Sequence, residues 1–65
     1  MNSNMTRYLA RLLTGKTTAS FTVLDEYEVY RGTTGWTIRD MDLDMVVTHG
    51  LRSDEVVKFF NSLAA

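Results

Sequence analysis

Three segments of the sequence hold residue types that do chemistry in other proteins, and the first is an acidic run. Asp40, Asp42 and Asp44 alternate with apolar residues, as the first ligands of a calcium-binding loop do. Such a loop also needs a glycine for its sharp turn and a glutamate that binds the ion through both oxygens, but Met45 and Leu51 stand at those positions. The run is therefore interpreted as an acidic turn, and neither a metal nor a cofactor is expected.

The other two segments contain a possible phosphate loop and a histidine. Gly15-Lys16-Thr17 is similar to the end of a phosphate-binding loop, but Ala10 stands where that loop needs its first glycine. His49 is the only histidine, and nothing in the sequence fixes a nucleophile or an orienting carboxylate beside it. The sequence therefore predicts no catalytic residue, and we expect a protein that is not an enzyme.

Helical spacing marks both ends of the chain. A helix is predicted over residues 4–14, with Arg7 and Arg11 one turn apart on its polar side. Gly15 is expected to end this helix in the left-handed conformation. A second helix is predicted over residues 53–64. The apolar residues at helical spacing are Met5, Tyr8, Leu9, Leu12, Leu13, Val56, Phe59, Phe60 and Leu63.

Between the helices the apolar period changes to two, which indicates strands. Phe21, Val23, Tyr27 and Val29 share one parity. Valine, threonine, tyrosine and phenylalanine dominate the segment, as is typical of strands. A strand is therefore predicted from residue 19 onward, with a bulge or bend near Asp25-Glu26, where the apolar alternation is interrupted.

A hairpin follows this first strand. Residues 32–35 begin and end with glycine and predict a turn. A four-residue connection pairs Val29 with Ile38 and Glu28 with Arg39. This register places the apolar pair on one face of the sheet and the charged pair on the other.

Residues 41–51 fit two interpretations. Their β-branched run predicts a third strand around Met45–Thr48, whereas Leu43, Val46 and Val47 also fit a short helix. We favour the strand.

The predicted fold class is α+β in a single small domain over residues 1–65: an N-terminal helix, an antiparallel meander of two or three strands, and a C-terminal helix packed on the sheet. The alternative is a hairpin followed by two helices. The predicted core is Leu9, Leu12, Leu13, Val29, Ile38, Phe59, Phe60 and Leu63.

Charge is distributed unevenly along the chain. Seven basic and eight acidic residues give a net charge of -1, and six of the acids lie between residues 25 and 44. An acidic surface with aromatic anchors suits docking on a basic protein surface, where charges steer the encounter and aromatic side chains hold the complex. Trp36 and Tyr27 are expected to fill the core, which leaves Tyr30 as the candidate anchor. The predicted partner-binding residues are Glu28, Tyr30, Arg39, Asp40, Asp42 and Asp44.

The last 30 residues are similar to a pattern found in many small phage and bacterial proteins. The similarity rests on residues 36–40, Val46-Val47, Gly50-Leu51 and a closing helix, and it implies no particular activity. We expect a small protein-binding module of phage or mobile-element type. It would act as an inhibitor or adaptor on a nucleic-acid-handling protein, such as a nuclease or a CRISPR-type effector.

The alternative function is a small nucleic-acid-binding protein that uses Arg7, Arg11 and Lys16, or a degenerate helix-turn-helix over residues 42–61. A module of that kind and size is usually basic, so nucleic acid is not the expected partner. A homodimer is expected, because a small core without disulfides supplies little stability. With no apolar run long enough to span a membrane and no export signal, the expected location is the cytoplasm.

Overall fold

A four-stranded antiparallel sheet and two helices make up the computed structural model, which describes residues 3–64. The elements are α1 (Ser3–Thr14), β1 (Ser20–Val23), β2 (Tyr27–Arg31), β3 (Trp36–Asp40), β4 (Met45–Leu51) and α2 (Ser53–Ala64). The strands lie in the sheet in chain order. The α+β class with a helix at each end is confirmed. The alternative of a hairpin followed by two helices is wrong, and the meander has four strands rather than two or three.

The additional strand arises because residues 20–31 form a hairpin, not one bulged strand. Val23 pairs with Tyr27 across a three-residue connection. Such a connection pairs residues of equal parity, and paired residues point to the same face of a sheet. The apolar alternation therefore has the same parity before and after the turn, and the sequence pattern of the two strands is that of a single strand.

The connection between β1 and β2 is a tight turn with an unusual composition. Leu24 and Asp25 both have φ in the left-handed region, at 58° and 56°. The Glu26 N–H donates to the Val23 carbonyl at 3.2 Å. These features define a type I′ turn, which favours Asn-Gly at its two central positions. A leucine in that conformation brings its Cβ close to the following carbonyl oxygen.

Replacing this turn with its preferred residues should stabilise the domain. Leu24→Asn combined with Asp25→Gly is expected to raise the free energy of unfolding by about 1 kcal/mol, because the left-handed strain is relieved. Thermal unfolding should show a midpoint about 4–8 °C higher in a domain of this size. A lower midpoint would mean that the leucine side chain contributes more to packing than its exposure suggests.

The hairpin of β2 and β3 has the predicted register. Val29 pairs with Ile38, and Glu28 pairs with Arg39. The Gly32 N–H donates to the Gly35 carbonyl at 2.7 Å and closes the four-residue connection. This register fixes which side chains of β2 and β3 share a face of the sheet.

The ambiguous segment is a strand, as favoured. β4 spans Met45–Leu51, so the helix-turn-helix interpretation of residues 42–61 is wrong. Its pairing with β3 shifts register twice, between Trp36 and Ile38 and between Ile38 and Arg39. Gly50, with φ of 69°, lies at the first shift, as expected for a bulge that needs a left-handed glycine.

The core lies between the two helices and one face of the sheet. Its buried residues are Leu9, Leu13, Val23, Val29, Trp36, Ile38, Val56 and Phe60. Five of the eight predicted core residues are among them. Leu12 and Phe59 are only half-buried, and Leu63 is 48% exposed. Leu63 lies in the last turn of α2, and helical spacing indicates the face of a helix but not where its neighbours end.

Gly15 ends α1 in a different way from the one predicted. It does not have the positive φ that Gly35 and Gly50 adopt. A Cβ at this position would lie 2.7 Å from the Thr18 hydroxyl oxygen. The expectation of a left-handed cap is therefore wrong, and the absence of a side chain here allows the following loop to approach the helix.

Candidate functional site

The helices cover one face of the sheet and leave the other uncovered. We call the uncovered side the open face; strand alternation and register assign to it Thr22, Glu28, Tyr30, Thr37, Arg39 and Val46. Three of the predicted partner-binding residues, Glu28, Tyr30 and Arg39, lie on this face, and a fourth, Asp44, contacts Arg39 from the turn that follows β3. The Arg39 Nε donates to Glu28 Oε1 at 3.0 Å, and its Nη1 donates to Asp44 Oδ1 at 2.6 Å. The sheet therefore holds an ion-paired trio with a net charge of -1.

The Arg39 guanidinium is firmly charged in this trio. The hydrogen bond that Arg39 donates to Glu28 raises the pKa of Arg39 above its ordinary value; desolvation opposes this rise, and attraction to the Glu28 and Asp44 carboxylates adds to it. Tyr30 is half-buried two residues along β2 from Glu28, and it pairs with Thr37. The open face thus offers an aromatic side chain beside charges that already have partners.

Asp40 and Asp42 have different roles from those of the trio. The Asp40 Oδ1 accepts the N–H groups of Asp42 and Leu43 at 2.9 and 3.0 Å, which shapes the turn between β3 and β4. Asp42 is exposed. Asp40 and Asp44 therefore bond to different partners. Within the described part of the chain, no group of three or more His, Cys, Asp or Glu side chains could hold a metal ion.

Two turns lie together at one end of the sheet. The Met41 N–H donates to the Glu26 carbonyl at 2.9 Å and joins the β1–β2 turn to the β3–β4 turn. We call residues 24–26 and 41–44 the acidic end. Its exposed carboxylates belong to Asp25, Glu26, Asp42 and Asp44. Leu24 and Leu43 are also exposed there, at 57% and 67%.

Sequence reasoning missed both leucines and the joining of the two turns. The apolar alternation is interrupted at Asp25, and this could have indicated a turn, since a three-residue connection preserves the apolar alternation in the strands on both of its sides. Recognising a hairpin there would have placed both turns at the same end of the meander. The exposure of Leu24 and Leu43 depends on the finished packing, and no sequence pattern reveals it.

The aromatic cluster of the central hairpin is largely structural. Trp36 is 3% exposed, and the Arg31 guanidinium carbon lies 4.4 Å from the centre of its ring. Arg31 also donates to the carbonyls of Gly15 and Thr18, at 3.2 and 3.4 Å. It thereby fixes the loop that follows α1. Tyr27 stacks edge-on against the phenylalanines of α2.

The basic residues proposed for nucleic-acid binding lie on a different element. Arg7 and Arg11 are exposed on α1, while Leu9 and Leu13 of the same helix are buried. Lys16 is exposed in the loop that follows. The structure therefore leaves two charged surfaces, one basic and one acidic, on separate elements.

A groove between β4 and α2 was not predicted from the sequence. It has a volume of about 430 Å³. Apolar side chains alternate with charged ones around it, because one wall is a strand and the other is the charged first half of a helix. Its lining residues are Val47, Thr48, Leu51, Arg52, Glu55, Lys58 and Phe59.

Comparisons with known proteins assign this chain to no group. No protein-family model matches it, and no curated protein and no solved structure shows significant similarity to it. Among residues 3–64, no helix combines the length and the hydropathy needed to cross a membrane. The chemistry of the surface is therefore the basis for assigning a function.

Proposed function

We propose that this chain is a small non-enzymatic protein-binding module that docks its acidic end on a basic protein surface. One observation carries the proposal: Leu24 and Leu43 are more than half exposed among four exposed carboxylates. Protein interfaces combine apolar anchors, which are desolvated on binding, with a charged rim that steers the encounter. The acidic end supplies both on two turns joined by a backbone hydrogen bond.

The backbone of the β1–β2 turn supports a role for Leu24 beyond folding. The left-handed conformation costs about 1–2 kcal/mol at a residue with a Cβ, and the turn type favours asparagine at this position. Strained residues of this kind cluster at sites where the side chain has a function. An exposed leucine held in that conformation is consistent with an anchor for a partner.

Charge favours a protein partner over nucleic acid at this end. Carboxylates repel the phosphate backbone, whose neutralisation by lysine and arginine dominates nucleic-acid affinity. Basic protein surfaces occur on proteins that themselves bind nucleic acid. We therefore extend the proposal to an inhibitor or adaptor of phage or mobile-element type that acts on such a protein, for example a nuclease or a CRISPR-type effector.

Charge reversal at the acidic end tests the proposal. The tagged chain would first capture its partner from host extract, with identification by mass spectrometry, and binding of the purified partner would then be measured. Asp42→Lys is expected to weaken binding by about tenfold, since a reversed charge against a basic surface costs one to two kcal/mol or more. Its carboxylate accepts no hydrogen bond from another described residue, so circular dichroism should show an unchanged fold.

The matched control reverses the other charged surface. Arg7→Glu with Arg11→Glu changes two exposed residues of α1 and should leave partner binding nearly unchanged. The opposite result, with the arginines essential and Asp42 silent, would overturn the proposal. A salt-dependent mobility shift of DNA or RNA that is lost with the arginines would then establish the nucleic-acid alternative.

A further inference from the structure

The exposed side of α1 and the loop after it carry positive charge without a partner. Arg7, Arg11 and Lys16 are exposed, and the ion pairs found among residues 3–64 involve none of them. Arg7 and Arg11 are four residues apart and are therefore neighbours on the helix surface, where like charges repel. The net charge of -1 averages this helix with the acidic residues of the chain, none of which precedes Asp25.

Folding brings a fourth cation to the end of this helix. Arg31 of β2 donates to the carbonyls of Gly15 and Thr18, so its guanidinium lies at the loop that holds Lys16. Arg31 is at the opposite end of β2 from Tyr27, which follows the acidic turn, and about 14 Å separates the two along the strand. This distance exceeds the screening length of about 8 Å at physiological salt. The four cations that we call the basic surface are Arg7, Arg11, Lys16 and Arg31.

An exposed tyrosine lies beside these cations. Tyr8 is 51% exposed, whereas Leu9 and Leu13 of the same helix are 0% and 4% exposed. Tyr8 and Arg11 are three residues apart, which makes them neighbours on the helix surface. The ring contacts found among residues 3–64 join other aromatic side chains. The core therefore leaves the ring of Tyr8 accessible next to two arginines.

We propose that the basic surface binds a single-stranded nucleic acid, with its cations on the phosphates and the ring of Tyr8 stacked on a base. Sites for single strands combine positive charge along the backbone with aromatic rings that stack on successive bases. In a duplex the bases stack on one another, so the exposed tyrosine favours a single strand. The basic surface shares no residue with the acidic end, and its ligand is therefore additional to the protein partner proposed above.

The burial of α1 favours a nucleic acid over an anionic membrane. A helix that lies in a membrane interface inserts its apolar side between the lipids. The apolar side of α1 is already packed in the core through Leu9 and Leu13. Phosphates of a flexible strand need only the exposed side of the helix, which the cations occupy.

Fluorescence anisotropy with labelled oligonucleotides tests the charge of the basic surface. Oligothymidylate and oligouridylate of about 12 nucleotides present a DNA and an RNA strand of a length that small modules bind, and binding of either supports the proposal. Each cation on a single strand contributes about -0.7 to the slope of log affinity against log salt, so four predict a slope of about -3. Arg11→Gln should reduce the slope to about -2 and weaken binding at low salt about fivefold.

The matched control removes a cation elsewhere. Lys58 is exposed and lines the groove on the β4 side of α2. Lys58→Gln should therefore leave both the slope and the affinity unchanged. Equal reductions for Arg11→Gln and Lys58→Gln would overturn the proposal, because the strand would then bind without a preferred surface.

Tyr8→Ala separates stacking from charge. Loss of the ring should weaken binding about tenfold while the salt slope stays the same, as is typical for the loss of one base-stacking side chain. Tyr8→Phe keeps the ring and should bind like the unmodified chain. Circular dichroism should show an unchanged fold for both, since the side chain is half exposed.

Three further results would overturn the proposal: no binding of either strand at low salt, a Tyr8→Ala protein that binds like the unmodified chain, or tighter binding to vesicles of phosphatidylcholine and phosphatidylserine than to either strand. Docking through the acidic end would survive each of them, since Asp42→Lys is scored against the captured protein. Failure of the Asp42→Lys test would likewise leave the binding of the strand intact.

Discussion

Phe60→Ala is expected to unfold the domain or leave it barely folded at room temperature. Phe60 is 2% exposed and packs edge-on against Tyr27 and Phe59, with ring centres 5.7 and 5.1 Å away. Removing a buried phenylalanine costs about 3–5 kcal/mol. A core of this size supplies about 3–5 kcal/mol of net stability. The substitution therefore removes most or all of the free energy that keeps the chain folded.

Urea unfolding followed by circular dichroism measures this loss. Leu63→Ala is the control within the same helix, because Leu63 is half exposed; it should change the free energy of unfolding by less than about 1 kcal/mol. Both proteins must be compared at one concentration, since self-association adds to apparent stability. Equal losses for the two substitutions would contradict the position of the core.

Gly35→Ala should have a comparably large effect for a different reason. A Cβ at Gly35 would lie 2.7 Å from the Leu51 carbonyl oxygen and 2.9 Å from the Gly50 carbonyl carbon, so it would push β4 away from β3. The φ of 141° is also unfavourable for a residue with a side chain. The expected loss exceeds the about 1–3 kcal/mol that such a backbone conformation costs without a clash.

The Gly50→Ala variant separates the effect of the steric clash from the effect of the backbone conformation. Gly50 also has positive φ, at 69°, but the nearest atom to its added Cβ, the Thr34 hydroxyl oxygen, is 3.9 Å away. The Gly50→Ala variant should therefore lose only about 1–2 kcal/mol of its free energy of unfolding, which is the cost of the left-handed conformation for a residue with a side chain. Thermal unfolding of both variants provides the comparison, and a Gly35→Ala protein as stable as Gly50→Ala would show that the backbone relaxes freely.

The parts of the fold that depend on local pattern could be predicted from the sequence. The spacing of Leu9 and Leu13 marks α1, and the parity match of Val29 with Ile38 fixes the register of β2 and β3. The same register predicts the Glu28–Arg39 ion pair, which forms at 3.0 Å. Each of these features follows from a periodicity or from a connection length that the sequence displays.

The features that the sequence did not predict depend on three-dimensional geometry, which the alternation of apolar residues along the chain does not indicate. A three-residue connection preserves the parity of Val23 and Tyr27, so two strands have the pattern of one. Asp44 pairs with Arg39 and the Asp40 carboxylate accepts turn N–H groups, so composition alone overstates the number of carboxylates without a partner inside the chain. The exposure of Leu43 depends on where the sheet ends. The groove beside β4 likewise exists only once α2 is docked.

The most direct test of the proposed function locates the binding surface on the folded chain. Backbone amide signals of the ¹⁵N-labelled protein would be recorded while the captured partner is added. The proposal predicts that the largest shifts or broadening fall on residues 24–26 and 41–44, with α1 little changed. Changes centred on residues 7–16, with the acidic end unaffected, would contradict it.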